Sequence, residues 1–88
     1  MPVVHIPALL FSLTGGDKEV SVTGITVEAL IDELETRYPG IKKRLVEGER
    51  LRAGLSVFVD GSVRREGLKC EVSPQSDVHF IPAIAGGD

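Results

Sequence analysis

A single cysteine, Cys70, stands among 88 residues. No internal disulfide can form, and a four-cysteine zinc site is out of reach. That cysteine usage fits a reducing, cytoplasmic setting. Positive charge is not in excess either. Lys and Arg number 10 against 13 Asp and Glu, a formal net charge of -3. This balance argues against an electrostatic hold on nucleic acid or on an anionic membrane. The two small basic clusters, Lys42-Lys43-Arg44 and Arg64-Arg65, read as solvated faces, with an acidic protein partner as the alternative. No apolar run is long enough to span a bilayer. The opening "MPVVHIPALLF" lacks the basic n-region and the cleavage site of a signal peptide.

Catalytic constellations are also missing. "TGGDK" lacks the glycine-lysine-hydroxyl spacing of a phosphate loop, and no helix follows it at once. No serine sits in a nucleophile elbow. Cys70 has Lys69 on one side and Glu71 on the other, which oppose each other's effect on a thiol, and no positioned base is evident. His5 and His79 lie on expected strands, but two histidines without a third ligand make a poor metal site. No metal and no bound cofactor are expected. A chain this short builds one core and seldom a deep cleft, so a binding, carrying or regulating role is expected rather than an enzyme's.

What is present is an ordinary globular pattern. "VVHIPALL" reads as a strand from Val3 to Leu10, weakened at Pro7. "LTGGDK" turns the chain, and "KEVSV" returns as a half-buried strand with Val20 and Val22 on one face. "GITVEALIDELETRYPG" is the clearest helix. Thr26 is a suitable N-cap, Glu28 sits in the first turn, and Ile25 with Leu30 has the spacing of a hydrophobic staple. Val27, Leu30, Ile31, Leu34 and Tyr38 form one stripe, and Pro39-Gly40 stops the helix. "IKKRLVEGE" predicts a short helical turn. "LSVFVDGSV" predicts a strand, an Asp60-Gly61 turn and a return. "GLKCEVSPQSD" is irregular, with a short strand expected at Lys69 to Val72. "DVHFIP" is the last strand, closed by Pro82.

One amphipathic helix against one mixed sheet of four to five strands is a two-layer α+β domain. Strand-strand-helix-strand-strand with the last strand central is the β-grasp, or ubiquitin-like, arrangement. By analogy with that fold, the first and last strands pair side by side. The domain is expected over residues 1–82, with a flexible tail over residues 83–88. In "DVHFIP", alternation puts Val78 and Phe80 on one face and His79 and Ile81 on the other. The histidine face is the better candidate for the outside, leaving Ile81 exposed at the root of the tail. Burial of Ile81 in the core is the alternative.

The tail, "AIAGGD", has residues that are small or uncharged before its final Asp88. Six extended residues at about 3.3 Å each reach roughly 20 Å. Glycines at the end of such an arm can enter a narrow channel, because they carry no Cβ. "GGD" also occurs at Gly15 to Asp17, where it reads as a turn, so only the setting gives it meaning. "FIPAIAGG" resembles the carboxyl end of the MoaD/ThiS family of ubiquitin-like sulfur carriers, and the resemblance runs over nearly the whole chain. "IPALLFSLTGGDKEVSVTGITVEALIDELETRYPGIKKRL" is most similar to the branch serving cysteine biosynthesis.

That resemblance implies a sulfur carrier. An E1-like enzyme would use ATP to adenylate the glycine carboxylate, which maps onto Gly87, and sulfur transfer would give a thiocarboxylate. Ala83, Ile84, Ala85 and Gly86 would be read by the channels of partner enzymes. Ile81 and His79 would belong to the docking face. The further implied partner is a sulfur-accepting synthase, a PLP-dependent enzyme being one form. Asp88 departs from the family pattern, since it locks the Gly87 carboxylate in a peptide bond. Its removal by a zinc metalloprotease of the JAMM type is therefore expected. A small subunit of molybdopterin synthase, a ubiquitin-like protein modifier and a plain β-grasp interaction domain remain as alternative readings.

Overall fold

The computed structural model describes residues 1–82. Its main helix, α1, spans Val27–Arg37. Thr26 precedes it in an extended conformation, and its Oγ1 accepts a hydrogen bond from the Ala29 N–H at 3.1 Å. Such a cap contributes about 1 kcal/mol. Val27, Leu30, Ile31 and Leu34 are fully buried, as their spacing on one helical face requires. Tyr38 ends the stripe half-buried, and its hydroxyl donates to Asp17 Oδ2 at 2.9 Å. Partial burial first, and then this bond to a carboxylate, push the Tyr38 phenol up from its ordinary range.

The expected staple is absent. Ile25 is 77% exposed, while Leu30 is buried. Backbone bonds on either side of Ile25 explain this. Val27 N–H donates to Cys70 O, and Val72 N–H donates to Ile25 O, both at 2.9 Å. This pins residues 25–27 against residues 70–72 and turns the Ile25 side chain outward. Gly24 takes the place beside the helix instead, where a Cβ would lie 2.9 Å from Leu30 Cδ2.

A second, four-residue helix, α2, spans Lys42–Leu45. Glu35 joins it to α1. Its carboxylate accepts from the Lys42 N–H at 2.8 Å and the Gly40 N–H at 3.1 Å. These bonds satisfy donors that the start of a helix leaves free. The Lys42 amide first, then that of Gly40, hold the Glu35 carboxyl below the usual glutamate range.

Seven strands follow in chain order among the described residues: β1 (Val3–His5), β2 (Glu19–Ser21), β3 (Val46–Glu47), β4 (Arg50–Leu51), β5 (Leu55–Val59), β6 (Ser62–Val63) and β7 (Asp77–Pro82). Five of them form one mixed sheet in the order β2-β1-β7-β5-β6, and β3 pairs only with β4. β1 and β7 run parallel, with Val3, Val4 and His5 opposite Asp77, Val78 and His79. β7 is therefore central, flanked by β1 and β5. This is the β-grasp arrangement. Period-2 alternation sends Val4, Val57, Val59, Val78 and Phe80 inward to meet Leu30, Ile31 and Leu34 in one core.

Three local expectations are corrected. The first strand stops at His5 rather than Leu10, because Pro7 has no N–H to donate to a ladder. Pro7 instead leads a 3-10 turn, Ala8–Leu10, with the Leu10 N–H donating to Pro7 O at 2.9 Å. That turn buries Leu10 and leaves Leu9 82% exposed. The strand expected at Lys69 to Val72 is a 3-10 turn, Gly67–Lys69, followed by one isolated bridge between Glu71 and Thr26. The β3–β4 hairpin was not expected at all. By contrast, the Asp60-Gly61 turn is as the sequence reads. Both residues have positive φ, 53° and 86°, which a two-residue hairpin turn of this hand requires. Asp60 also clamps β7, since its carboxylate accepts from the Asp77 N–H at 2.9 Å and the buried Ser76 hydroxyl at 3.1 Å.

Candidate functional site at the root of the tail

The sheet delivers the chain end from its centre. β7 is held on both sides, by β1 over Asp77 to His79 and by β5 from Val78↔Val59 to Pro82↔Leu55. The end of the strand, at Ile81 and Pro82, is held by the β5 ladder alone. Ala83, Ile84, Ala85, Gly86, Gly87 and Asp88 lie outside the described residues.

On β7 the alternation is as read from the sequence. Val78 and Phe80 are buried, His79 is half-buried, and Ile81 is 39% exposed. Ile81 pairs with Ser56 across the ladder and stands one residue from the end of the strand. It offers apolar surface on the outer face. Around the same end lies a shallow apolar depression lined by Pro7, Leu9, Leu45, Leu55 and Pro82, with the exposed Arg44 beside them. Sequence reasoning missed Leu9, and it named Arg44 only within the Lys42-Lys43-Arg44 cluster, not at this end of the sheet. Only the 3-10 turn at Ala8–Leu10 and the placement of α2 bring them here. The one available signal was Pro7, which marks where the first strand had to end.

His79 meets His5 across the parallel register. Their ring centroids are 3.9 Å apart and the planes differ by 3°. His5 Nε2 lies 3.1 Å from Asp77 Oδ1, and His5 Nδ1 lies 3.8 Å from Glu19 Oε2. Imidazole lone pairs lie in the ring plane, so two parallel rings do not aim their nitrogens at one ion. Among the described residues, no group of three His, Cys, Asp or Glu side chains is placed to hold a metal. The stack instead covers the outer face of β1 and β7 just before Ile81.

Cys70 is 1% exposed. Burial first, and then the Glu66 carboxylate, push its thiol up from the ordinary range. That is the opposite of what a nucleophilic cysteine needs. The basic cluster at Lys42 is partly spent on structure, because Lys42 Nζ pairs with Asp32 Oδ1 at 2.6 Å. No helix among the described residues is long and apolar enough to cross a membrane. Among the described residues, this end thus offers a paired strand end and an apolar collar.

A central terminal strand that feeds a diglycine tail is the layout of a small β-grasp carrier or modifier. The chain belongs to the ThiS family, whose model matches residues 4–87 and so runs through Gly86 and Gly87. It is 38% identical to the sulfur carrier protein CysO of Mycobacterium tuberculosis, over 96% of each chain. The crystal structure of that organism's CysO superposes with a TM-score of 0.88 at 33% identity, covering 96% of this chain and 100% of the other. A chain from the crystal structure of the Amycolatopsis orientalis BexX/CysO complex superposes with a TM-score of 0.90 at 40% identity, covering 99% and 100%.

Proposed function

We propose that this protein is a sulfur carrier whose working group is the carboxyl of Gly87. Hydrolysis of the Gly87–Asp88 bond, by a metalloprotease of the JAMM type, frees that carboxylate. An E1-like enzyme then adenylates it with ATP, releasing pyrophosphate. The step is needed because a carboxylate repels nucleophiles and has no good leaving group. The acyl-adenylate has one, and a sulfur donor displaces AMP to leave a thiocarboxylate. Ionised sulfur on that group is a soft nucleophile, which attacks an activated substrate on a second enzyme. A PLP-dependent synthase making cysteine or a related sulfur metabolite fits this second role. Attack and hydrolysis return the carboxylate for another round.

In this reading the chain holds no cofactor and does no catalysis of its own. It supplies reach, recognition and the acyl group. Ala83, Ala85 and Gly86 suit a narrow approach to the partner's site, since small residues let two backbones come close, and Ile84 supplies one apolar contact to be read there. Ile81 and His79 form the face that docks first.

The observation that carries the reading is the match of the family model through Gly87 on a chain whose β7 is central and ends at Pro82. A chain trimmed to Gly87 should exchange one oxygen for sulfur when incubated with an E1-like enzyme from its own genome, ATP and sulfide. Intact mass spectrometry reads the exchange. The chain that retains Asp88 should stay unchanged until the protease is added. Failure of the trimmed chain, while a known carrier reacts under the same conditions, overturns the proposal.

A further inference from the structure

A second surface borders β5, whose Leu55 and Ser56 also pair with Pro82 and Ile81. A groove runs between the β3–β4 hairpin, the β5–β6 hairpin and the turn at Gly67–Lys69. Its charged lining is Arg50, Arg64, Arg65 and Lys69 against Glu49 and Glu66. The protein as a whole carries a formal charge of -3, so this groove runs against the sign of the molecule. Apolar side chains interleave with the cations, Leu51 on one wall and the 51% exposed Val63 on the other.

Arg64 is the unusual member. Its backbone N–H donates to Val57 O at 3.0 Å, which fixes the start of the side chain at the groove. Its Nε–H is buried with no acceptor. Among the described residues it is the one buried side-chain nitrogen or oxygen atom in that state. A buried donor without a partner is costly, and a guanidinium donor more so. Rotating the side chain outward would let Nε and a terminal nitrogen meet one carboxylate together, the paired geometry that arginine favours. No carboxylate of the chain makes that pair among the described residues.

We propose that this groove receives an acidic, leucine-containing peptide segment of a partner protein, with Arg64 pairing one of its carboxylates. A peptide fits better than a small anion, because cations from three segments of the chain line the groove together with apolar side chains. Arg50 and Lys69, on opposite walls, contribute long-range attraction, and Arg64 contributes the directed pair.

The test uses the full chain, labelled with nitrogen-15, and a capped synthetic hexapeptide of glutamate and leucine. Amide shifts should saturate and centre on residues 49–69. Arg64→Gln should weaken the interaction at least about tenfold, in keeping with loss of a charge-assisted pair, and Arg64→Lys should not restore it. Without peptide, Arg64→Met should melt no lower than the parent protein, because the unpaired donor is gone. If Arg64→Gln fails to fold, the exposed pair Arg50→Gln and Lys69→Gln carries the test and should weaken binding at least threefold by removing two attractive charges. Shifts that do not saturate, or that fall equally on Lys43 and Arg44, would show general charge attraction and overturn the proposal. So would saturation of the same amides by inorganic phosphate alone, or by a lysine-leucine peptide of equal length.

Discussion

Replacing Ile81 by Asp separates docking from folding at the root of the tail. Ile81 is 39% exposed, so roughly three-fifths of it is covered in the free protein. Burying a whole isoleucine side chain contributes about 1.5–3 kcal/mol, which puts the covered part near 1–2 kcal/mol. Aspartate is also a poor strand residue, at a cost of up to about 1 kcal/mol. The total, about 2 kcal/mol, is less than the stability of about 4–13 kcal/mol expected for a domain of this length. Ile81→Asp should therefore stay folded at room temperature, with Tm lowered by about 10 °C or somewhat more. Partner affinity should fall by a comparable free energy, but while the domain stays folded only the affinity loss changes the adenylation rate. An apolar anchor at the centre of an interface contributes about 2 kcal/mol or more, so adenylation of the trimmed chain should fall in kcat/KM by about thirtyfold. Phe80→Asp is the contrast. Phe80 is 3% exposed on the inner face, and a charge there should unfold the domain. Circular dichroism melts and pyrophosphate release read the two effects separately. If Ile81→Asp unfolds outright, Ile81 is core and the docking argument fails. If it folds and is adenylated at the parent rate, Ile81 touches no partner.

Two further outcomes follow from the fold. Leu34→Ala removes a fully buried side chain from the centre of the helix–sheet core and should cost about 2–5 kcal/mol by urea titration; a cost under about 1 kcal/mol would mean that the core collapses around the gap. Glu35→Gln removes the carboxylate that accepts from the Gly40 and Lys42 amides. Because those bonds lower the folded-state pKa below the unfolded value, the ionised group stabilises the protein above the ordinary glutamate range, and that contribution is lost as pH falls through the lowered value. Thermal melts should accordingly show a shallower decline below about pH 4 in Glu35→Gln than in the parent; parallel acid limbs would show that Glu35 takes no part in the linkage.

Much of this site was legible wherever one residue's neighbours in sequence are also its neighbours in space. Helix α1 follows from a 3.6-residue stripe, its start from Thr26, and the outward face of Ile81 from the period of 2 in "DVHFIP". The Asp60-Gly61 turn is equally local, since two positive φ angles in succession favour that pair. What was not legible depends on residues far apart in the chain. Ile25 had the spacing of a staple, but bonds to residues 70–72 turned it out. Leu9 joins Pro82 only because Pro7 ends β1 and the following turn folds back beside α2. The local pattern likewise gives no sign that Glu35 accepts from the Gly40 and Lys42 amides, a contact that depends on how the chain turns into α2. The parallel pairing of β1 with β7 carries no local mark either, and it rested on analogy. Yet it is that pairing, between segments more than seventy residues apart, that puts β7 in the middle of the sheet. A tail on an edge strand would leave from a frayed border. β7 is bonded to β1 over Asp77 to His79 and to β5 up to Pro82, so the position of Pro82 is set relative to the sheet's outer face, where Ile81 stands.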